Sequence, residues 1–321
     1  MRYNIVFLDA ASLGDADLAA LQQPGCELQL FPYSAPADIV DRLQHADIAI
    51  VNKCRLDATV LTQLPRLKAI MVAATGMDNI DLTAAATQGI QVFNVKDYAG
   101  TAVPQHVFAL LLQLTNKVQQ YHQAVLHGKW SQSKHFCLLD YPVMELAGKS
   151  MLIVGYGALG RATARLAEAF GMQLLIAEQP GAARCRPGRT PFTTALAQAD
   201  VISLHCPLTP QTERLFNREI FAAIKPGALL INTARGGLID ETALLQALQH
   251  GHLGGAALDV LTQEPPAPDN PLLQADLAQL IITPHMAWGS AEARQRLVLQ
   301  LADNIIAFQQ GQPQNQLWPT V

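Results

Sequence analysis

The chain has 321 residues, half of them hydrophobic and 15% charged, with a formal net charge of −4 at pH 7. This length suits two domains of ordinary size, the composition excludes intrinsic disorder, and a weakly acidic balance with no basic run argues against nucleic acid or an anionic membrane as the main partner. Small molecules remain. The five cysteines, Cys26, Cys54, Cys137, Cys185 and Cys206, are odd in number, scattered and without ligand spacing, so they read as reduced thiols and no metal site is expected. The chain opens directly on a strand-like run, shows no leader pattern and has no apolar run of membrane-spanning length, so a cytoplasmic enzyme is expected.

In chain order, strand-like runs come first at Ile5–Leu8, Leu28–Phe31, Ile48–Val51, Ala69–Ala73 and Ile90–Phe93, separated by helical patterns such as Asp38–His45 and Leu82–Gln88. Such alternation implies a parallel sheet with helices on its faces. Within it, Gly76 of Ala73-Ala-Thr-Gly-Met-Asp-Asn-Ile-Asp81 could let successive amides face one anion, while an ordinary turn capped by Asp78 or Asp81 reads equally well. Thr101–Leu114 follows, apolar nearly all round, as a helix buried between domains would be, with Pro104 tolerated in its first turn.

From Met151 the alternation resumes, with strands expected at Met151–Val154, Leu174–Ala177, Val201–His205, Ala228–Asn232, Ala256–Val260 and Leu280–Thr283, a complete dinucleotide-binding set. The first strand runs into Gly155-Tyr-Gly-Ala-Leu-Gly160. Gly155 suits a tight turn, Gly157 a close approach to pyrophosphate and Gly160 close packing of helix on strand, with the helix N-terminus facing the phosphates. Glu178, eighteen residues on at the end of the second strand, is placed to accept the ribose hydroxyls of an adenosine and to repel a 2′-phosphate.

Three further residues follow strand ends, where ligands of open α/β folds bind: Arg235 in Asn232-Thr-Ala-Arg-Gly-Gly237, Glu264 in Gln263-Glu-Pro-Pro266, and His285 in Thr283-Pro-His-Met-Ala-Trp-Gly289. An arginine fork can hold a carboxylate or carbonyl oxygen, a histidine can exchange a proton near neutrality, and a carboxylate on its far nitrogen would orient it. Singly, the histidine would read as a capping residue and the glutamate as a solvated loop residue; together, beside a nicotinamide, they read as catalytic. Ala291–Gln309 forms one long helix, read as returning to the first domain, and the chain then ends in a polar tail.

These residues, with His205-Cys-Pro-Leu-Thr209, Lys225–Gly237, Gly255-Ala-Ala-Leu-Asp259 and Pro284-His285, resemble the D-isomer-specific 2-hydroxyacid dehydrogenases over essentially the whole length. The resemblance implies two Rossmann-like or flavodoxin-like βαβ domains with parallel sheets and an active site in the interdomain cleft. Residues 1–99 plus 287–321 would form the substrate domain and 100–286 the NAD-binding domain, closing by a hinge. It implies Arg235, Glu264 and His285 as the catalytic triad. Residues 73–77, among them Ala74, Thr75, Gly76 and Met77, would hold the substrate carboxylate with Arg235 and His285. The cofactor site would comprise Gly155, Gly157, Ala158, Leu159, Gly160, Glu178, Cys206, Pro207, Thr212, Thr233, Ala234, Arg235, Asp259 and His285.

Many members have aspartate where Glu178 stands. NAD is the expected cofactor, while Arg184 and Arg186 lie near enough in sequence to meet the 2′-phosphate of NADP instead. Asn94-Val-Lys-Asp-Tyr98, Gly128-Lys-Trp130 and Ser131–Cys137 resemble the glycerate dehydrogenase/hydroxypyruvate reductase branch, so hydroxypyruvate and glyoxylate are the expected substrates. A D-lactate or broad 2-ketoacid reductase, and a non-catalytic NAD-sensing protein of the corepressor kind, are the alternatives. A homodimer is expected from family precedent. Tyr121–Cys137, with Trp130 and Phe136, is either an arm to the partner subunit or ordinary core packing.

Overall fold

The computed structural model describes residues 2–318, with side chains through residue 316. The chain divides into two compact units, Met1–Ala99 with Gly289–Val321, and Gly100–Trp288. Residues 287 and 288 stay with the second unit, where the buried Asp259 carboxylate accepts from the Ala287 amide at 2.8 Å.

The first unit holds strands β1 (Tyr3–Phe7), β2 (Cys26–Leu30), β3 (Ile48–Val51), β4 (Ala69–Val72) and β5 (Gln91–Phe93), with short helices α1 (Ile39–Leu43), α2 (Ala58–Leu61) and α3 (Leu82–Thr87) between them. The strands are parallel in the order β5-β4-β3-β1-β2. β3 and β4 are buried throughout, as strands covered on both faces must be, which is why they read as continuous apolar runs.

The second unit opens with α4 (Ala102–Asn116) and α5 (Val118–Leu126), then alternates β6 (Ser150–Val154), α6 (Ala158–Ala169), β7 (Gln173–Ile176), α7 (Phe192–Gln198), β8 (Val201–Leu204), α8 (Arg218–Ala223), β9 (Leu229–Asn232), α9 (Glu241–Gln249), β10 (Gly255–Leu258), α10 (Pro271–Gln274) and β11 (Leu280–Ile282). All six strands are parallel, in the order β11-β10-β9-β8-β6-β7. The chain steps from β7 across β6 to β8, so the reversal of strand order falls at the carboxyl end of β6, beside the glycine turn. The apolar helix α4 belongs to this unit; its Phe108 stacks on Phe170 with ring centroids 5.0 Å apart.

The last helix, α11 (Ala291–Gln309), packs in the first unit, where Phe308 meets the rings of Tyr3 and Phe93 edge-on, each with centroids at 5.9 Å. The end of the chain corrects the expected polar tail: β12 (Gln316–Trp318) pairs antiparallel with β5 and covers what would otherwise be a bare sheet edge. Three residues show no period, so this strand was invisible in the sequence.

Candidate active site

The register of the second sheet lines up the three candidate catalytic residues. Asn232, Leu258 and Ile282 stand in one row across β9, β10 and β11, and Arg235, Glu264 and His285 follow them by three, six and three residues. The buried Asn232 shapes the first loop: its side-chain nitrogen donates to the Arg235 carbonyl at 2.8 Å, and its oxygen accepts from the Ala234 amide at 3.0 Å. Gly236 brings that loop onto the next one. A Cβ there would lie 1.9 Å from the Leu261 carbonyl carbon, so only glycine permits this contact. In the second loop Glu264 Oε1 accepts from the Leu261 amide at 2.9 Å, and Oε2 lies 2.5 Å from His285 Nδ1. The pair fixes the imidazole plane and leaves Nε2 as the nitrogen available to a substrate.

His285 has φ of 52°, a conformation uncommon for a residue with a side chain, and its surroundings impose it. The His285 amide donates to the Asp259 carbonyl at 2.7 Å, and Trp288 Nε1 donates to the His285 carbonyl at 3.0 Å. The Asp259 carboxylate accepts from the Thr283 hydroxyl (2.6 Å) and from the Met286 and Ala287 amides (2.9 and 2.8 Å). His106 on α4 completes the set, with Nε2 3.1 Å from Thr283 Oγ1 and 3.5 Å from Asp259 Oδ1. Burial pushes the Asp259 carboxyl up, yet hydrogen bonds from His106, Thr283 and the two amides together hold it below the usual range. Asp259, expected among the cofactor contacts, is thus buried with its carboxylate directed at the His285 turn. Neither this role nor His106 was legible beforehand, because both partners are distant in sequence.

The glycine turn fits a dinucleotide. Gly155 has φ of 97°, and a Cβ there would sit 2.5 Å from the Cys206 nitrogen, so the turn lies against the chain leaving β8. A Cβ on Gly160 would fall 2.1 Å from the Gly155 oxygen, which binds α6 closely to β6. On Gly157 it would meet nothing within 4 Å, so packing does not explain that glycine. Gly157 is the N-cap of α6, where no side chain caps the amides and no acid stands in the first turn. Amides of this first turn, which includes Ala158 and Leu159, are what a pyrophosphate requires. The Thr233 hydroxyl, in the loop after β9, is buried without a partner among the described residues and suits a polar ligand group. Thr212 instead serves its own loop, its hydroxyl donating to the Pro207 carbonyl at 2.7 Å and accepting from the Thr209 amide at 2.8 Å.

Burial acts on the two residues leaving β8. It raises the Cys206 thiol to about 11, which keeps it protonated and unreactive, and it lowers the His205 imidazole from 6.5 to about 4, with Nε2 2.9 Å from Ser203 Oγ. A histidine held neutral by the fold stabilises it above pH 6.5, and this contribution, about 3 kcal/mol in scale, is lost as pH falls from about 6.5 to about 4. His205→Asn should therefore flatten the fall of Tm across that window in calorimetry. A slope equal to the parent's would exclude His205 as its source.

Glu178 has partners that the sequence did not disclose. Its side chain is 3% exposed and ion-pairs with Arg186, while Arg184 lies exposed on the same loop. In the first unit, the Thr75 hydroxyl donates to the Val95 carbonyl at 2.9 Å, and Asn94 Nδ2 donates to the Thr75 carbonyl at 2.8 Å. Ala74 and Met77 pack against the core. Among the described residues the Thr75 and Gly76 amides donate to no acceptor, and the helix cap downstream is Asp81, which accepts from the Ala84 amide at 2.9 Å. The turn therefore has its cap and still has two amides to offer. Asp9, overlooked in the sequence, is buried and accepts from the amides of Asn52, Lys53 and Cys54 at 2.9, 2.6 and 3.1 Å, which fixes the loop after β3.

Residues 108–287 match the family model described as D-isomer specific 2-hydroxyacid dehydrogenase, NAD binding domain. The chain is 47% identical over 315 residues to a glycerate dehydrogenase of Methylorubrum extorquens, covering 98% of this chain and 99% of that one. It is 38% identical over 320 residues to a hydroxypyruvate reductase of Blautia hydrogenotrophica, covering 97% and 98%. The solved D-lactate dehydrogenase of Aquifex aeolicus, complexed with NAD and lactic acid, matches with a TM-score of 0.82 at 27% identity over 96% of each chain.

The chain belongs to the D-isomer specific 2-hydroxyacid dehydrogenases, in the glycerate dehydrogenase branch. It is an oxidoreductase with a nicotinamide cofactor, which sets aside the non-catalytic alternative. Among the described residues no helix is long and apolar enough to cross a membrane.

Proposed function

We propose that this chain reduces hydroxypyruvate to D-glycerate, and next glyoxylate to glycolate, with NADH. The observation that carries the reading is the His285–Glu264 pair on a row of strand ends shared with Arg235, in a chain 47% identical to a glycerate dehydrogenase. Gly100–Trp288 serves as the cofactor domain, and Met1–Ala99 with Gly289–Val321 as the substrate domain. The bound nicotinamide supplies the hydride for the carbonyl carbon. Protonated His285 gives the Nε2 proton to the carbonyl oxygen while Glu264 keeps the ring oriented. Arg235 polarises that oxygen and holds the carboxylate, whose other end is received by the Thr75 and Gly76 amides. Asn94, the first residue of a segment that marks the branch, braces the Thr75 carbonyl and so bears on substrate placement.

A panel of 2-oxoacids tests the substrate. Hydroxypyruvate, then glyoxylate, should show higher kcat/KM than pyruvate, 2-oxobutyrate or phenylpyruvate in steady-state NADH oxidation. A pocket built to hydrogen-bond the extra hydroxyl rejects pyruvate strongly, whereas an apolar pocket discriminates that isostere weakly. Pyruvate or phenylpyruvate outrunning hydroxypyruvate would favour the D-lactate or broad-ketoacid alternative and leave the family unchanged.

The working protein is proposed to be a cytoplasmic homodimer. Supporting this, Trp130 and Phe136 are 51% and 90% exposed, with Leu139 beside them at 80%, so they do not pack in the core of their own chain. A monomer's mass in light scattering would overturn the dimer.

A further inference from the structure

We propose that the adenosine end of the cofactor site accepts a 2′-phosphate about as well as a free ribose, with Arg186 as the residue that sets this tolerance. The proposal deepens the reductase reading, on which it rests, by adding NADPH to NADH as a hydride source.

A carboxylate at the end of the second strand of a dinucleotide fold selects NAD only if its oxygens are free to accept the ribose hydroxyls and its charge is free to repel a phosphate. Glu178 stands at that position, two residues past the end of β7, and meets neither condition. Its Oε1 accepts from the Gln179 amide at 2.8 Å and from Arg186 Nε at 3.1 Å, and it also receives Arg186 Nη2. Its Oε2 accepts from the Arg186 amide at 2.9 Å and from Arg186 Nε at 2.8 Å. A carboxylate has about four acceptor sites, so the chain's own donors fill it. Arg186 holds the Glu178 carboxyl well below the usual carboxylate range, and the ion pair therefore persists at neutral pH.

The charge that remains is positive. The Arg186 side chain is 57% exposed beyond its contact with Glu178. Arg189 donates from Nη1 to the Ala177 carbonyl at 3.0 Å, and its guanidinium carbon lies 5.3 Å from the ring centroid of Tyr156, the residue between Gly155 and Gly157. One carboxylate and two guanidiniums thus surround the end of β7 next to the pyrophosphate turn. Guanidinium N–H groups bind phosphate through charge-assisted hydrogen bonds, and they also donate to ribose hydroxyls, so neither cofactor is turned away.

Calorimetric titration with 2′,5′-ADP and 5′-AMP isolates the adenosine end without nicotinamide or substrate, and fluorescence titration with NADPH and NADH reads the whole cofactor. The parent should bind NADPH and NADH with Kd values within about tenfold, and 2′,5′-ADP at least as tightly as 5′-AMP. Arg186→Ala releases Glu178 to accept the ribose and repel phosphate, so the NADPH-to-NADH Kd ratio should rise by about 30-fold, the scale of one lost charge-assisted contact plus one gained repulsion. Glu178→Gln should move the ratio the opposite way, which makes the result independent of how well one variant folds. A parent that binds 2′,5′-ADP more than a hundredfold weaker than 5′-AMP overturns the proposal, as does an Arg186→Ala ratio within twofold of the parent's. Failure to reduce hydroxypyruvate with either cofactor, while these affinities hold, would fault the substrate reading alone.

Discussion

Replacing His285 with alanine is expected to lower kcat for 2-oxoacid reduction by about 10² to 10⁴, the usual range for removing a positioned general acid, while NADH binds as before. The surroundings make this substitution informative. The turn that carries His285 is fixed through its backbone, by the Asp259 carbonyl on the His285 amide and by the Asp259 carboxylate on the next two amides, so loss of the imidazole leaves those bonds in place. The side chain itself has Glu264 as its bonded partner, at 2.5 Å through Nδ1. Alanine should therefore remove the proton donor and little else. Single-turnover measurement of NADH oxidation separates the chemical step from release, and a loss under threefold in that step would remove His285 from the mechanism.

What could be read in advance divides along the range of the interactions involved. The eleven strands expected in the two sheets carry their own signal, clearest where a strand buried on both faces is a continuous apolar run, as in β3 and β4. Gly155 and Gly160 were legible for the same local reason: a turn and a helix-on-strand contact leave no room for a Cβ. Residues whose meaning depends on distant partners were not legible. Asp259 reads as one acid after a strand until the fold folds Thr283, Met286 and Ala287 back onto it and adds His106 from a helix more than 150 residues earlier. Glu178 reads as a ribose acceptor by position, and only the path of the loop to Arg186 shows that its oxygens are already occupied. Strand β12 is legible only as the partner of β5, since its three residues have no pattern of their own.

Arg235→Lys should cost about 10² to 10³ in kcat/KM although it keeps the charge, because a lysine ammonium is a point donor and lacks the planar fork that holds a carboxylate and a carbonyl oxygen together. The exchanged side chain gives the loop one bond, from Arg235 Nη1 to the Ala234 carbonyl at 2.8 Å, and the loop has other fixings beside it. Asn232 closes it through the Arg235 carbonyl and the Ala234 amide, and Gly236 seats it against the Leu261 carbonyl. Backbone position, and with it the Thr233 hydroxyl proposed to face the cofactor, should survive the change. The split between parameters then discriminates two functions of Arg235. If the fork only captures the carboxylate, KM rises and kcat stays, as for uniform binding; if it also polarises the carbonyl in the transition state, kcat falls as well. The proposed mechanism requires both to change, with NADH affinity by fluorescence titration within about threefold of the parent. A lysine variant with kcat/KM within fivefold of the parent would show that charge alone suffices and that the fork is not what orients the substrate.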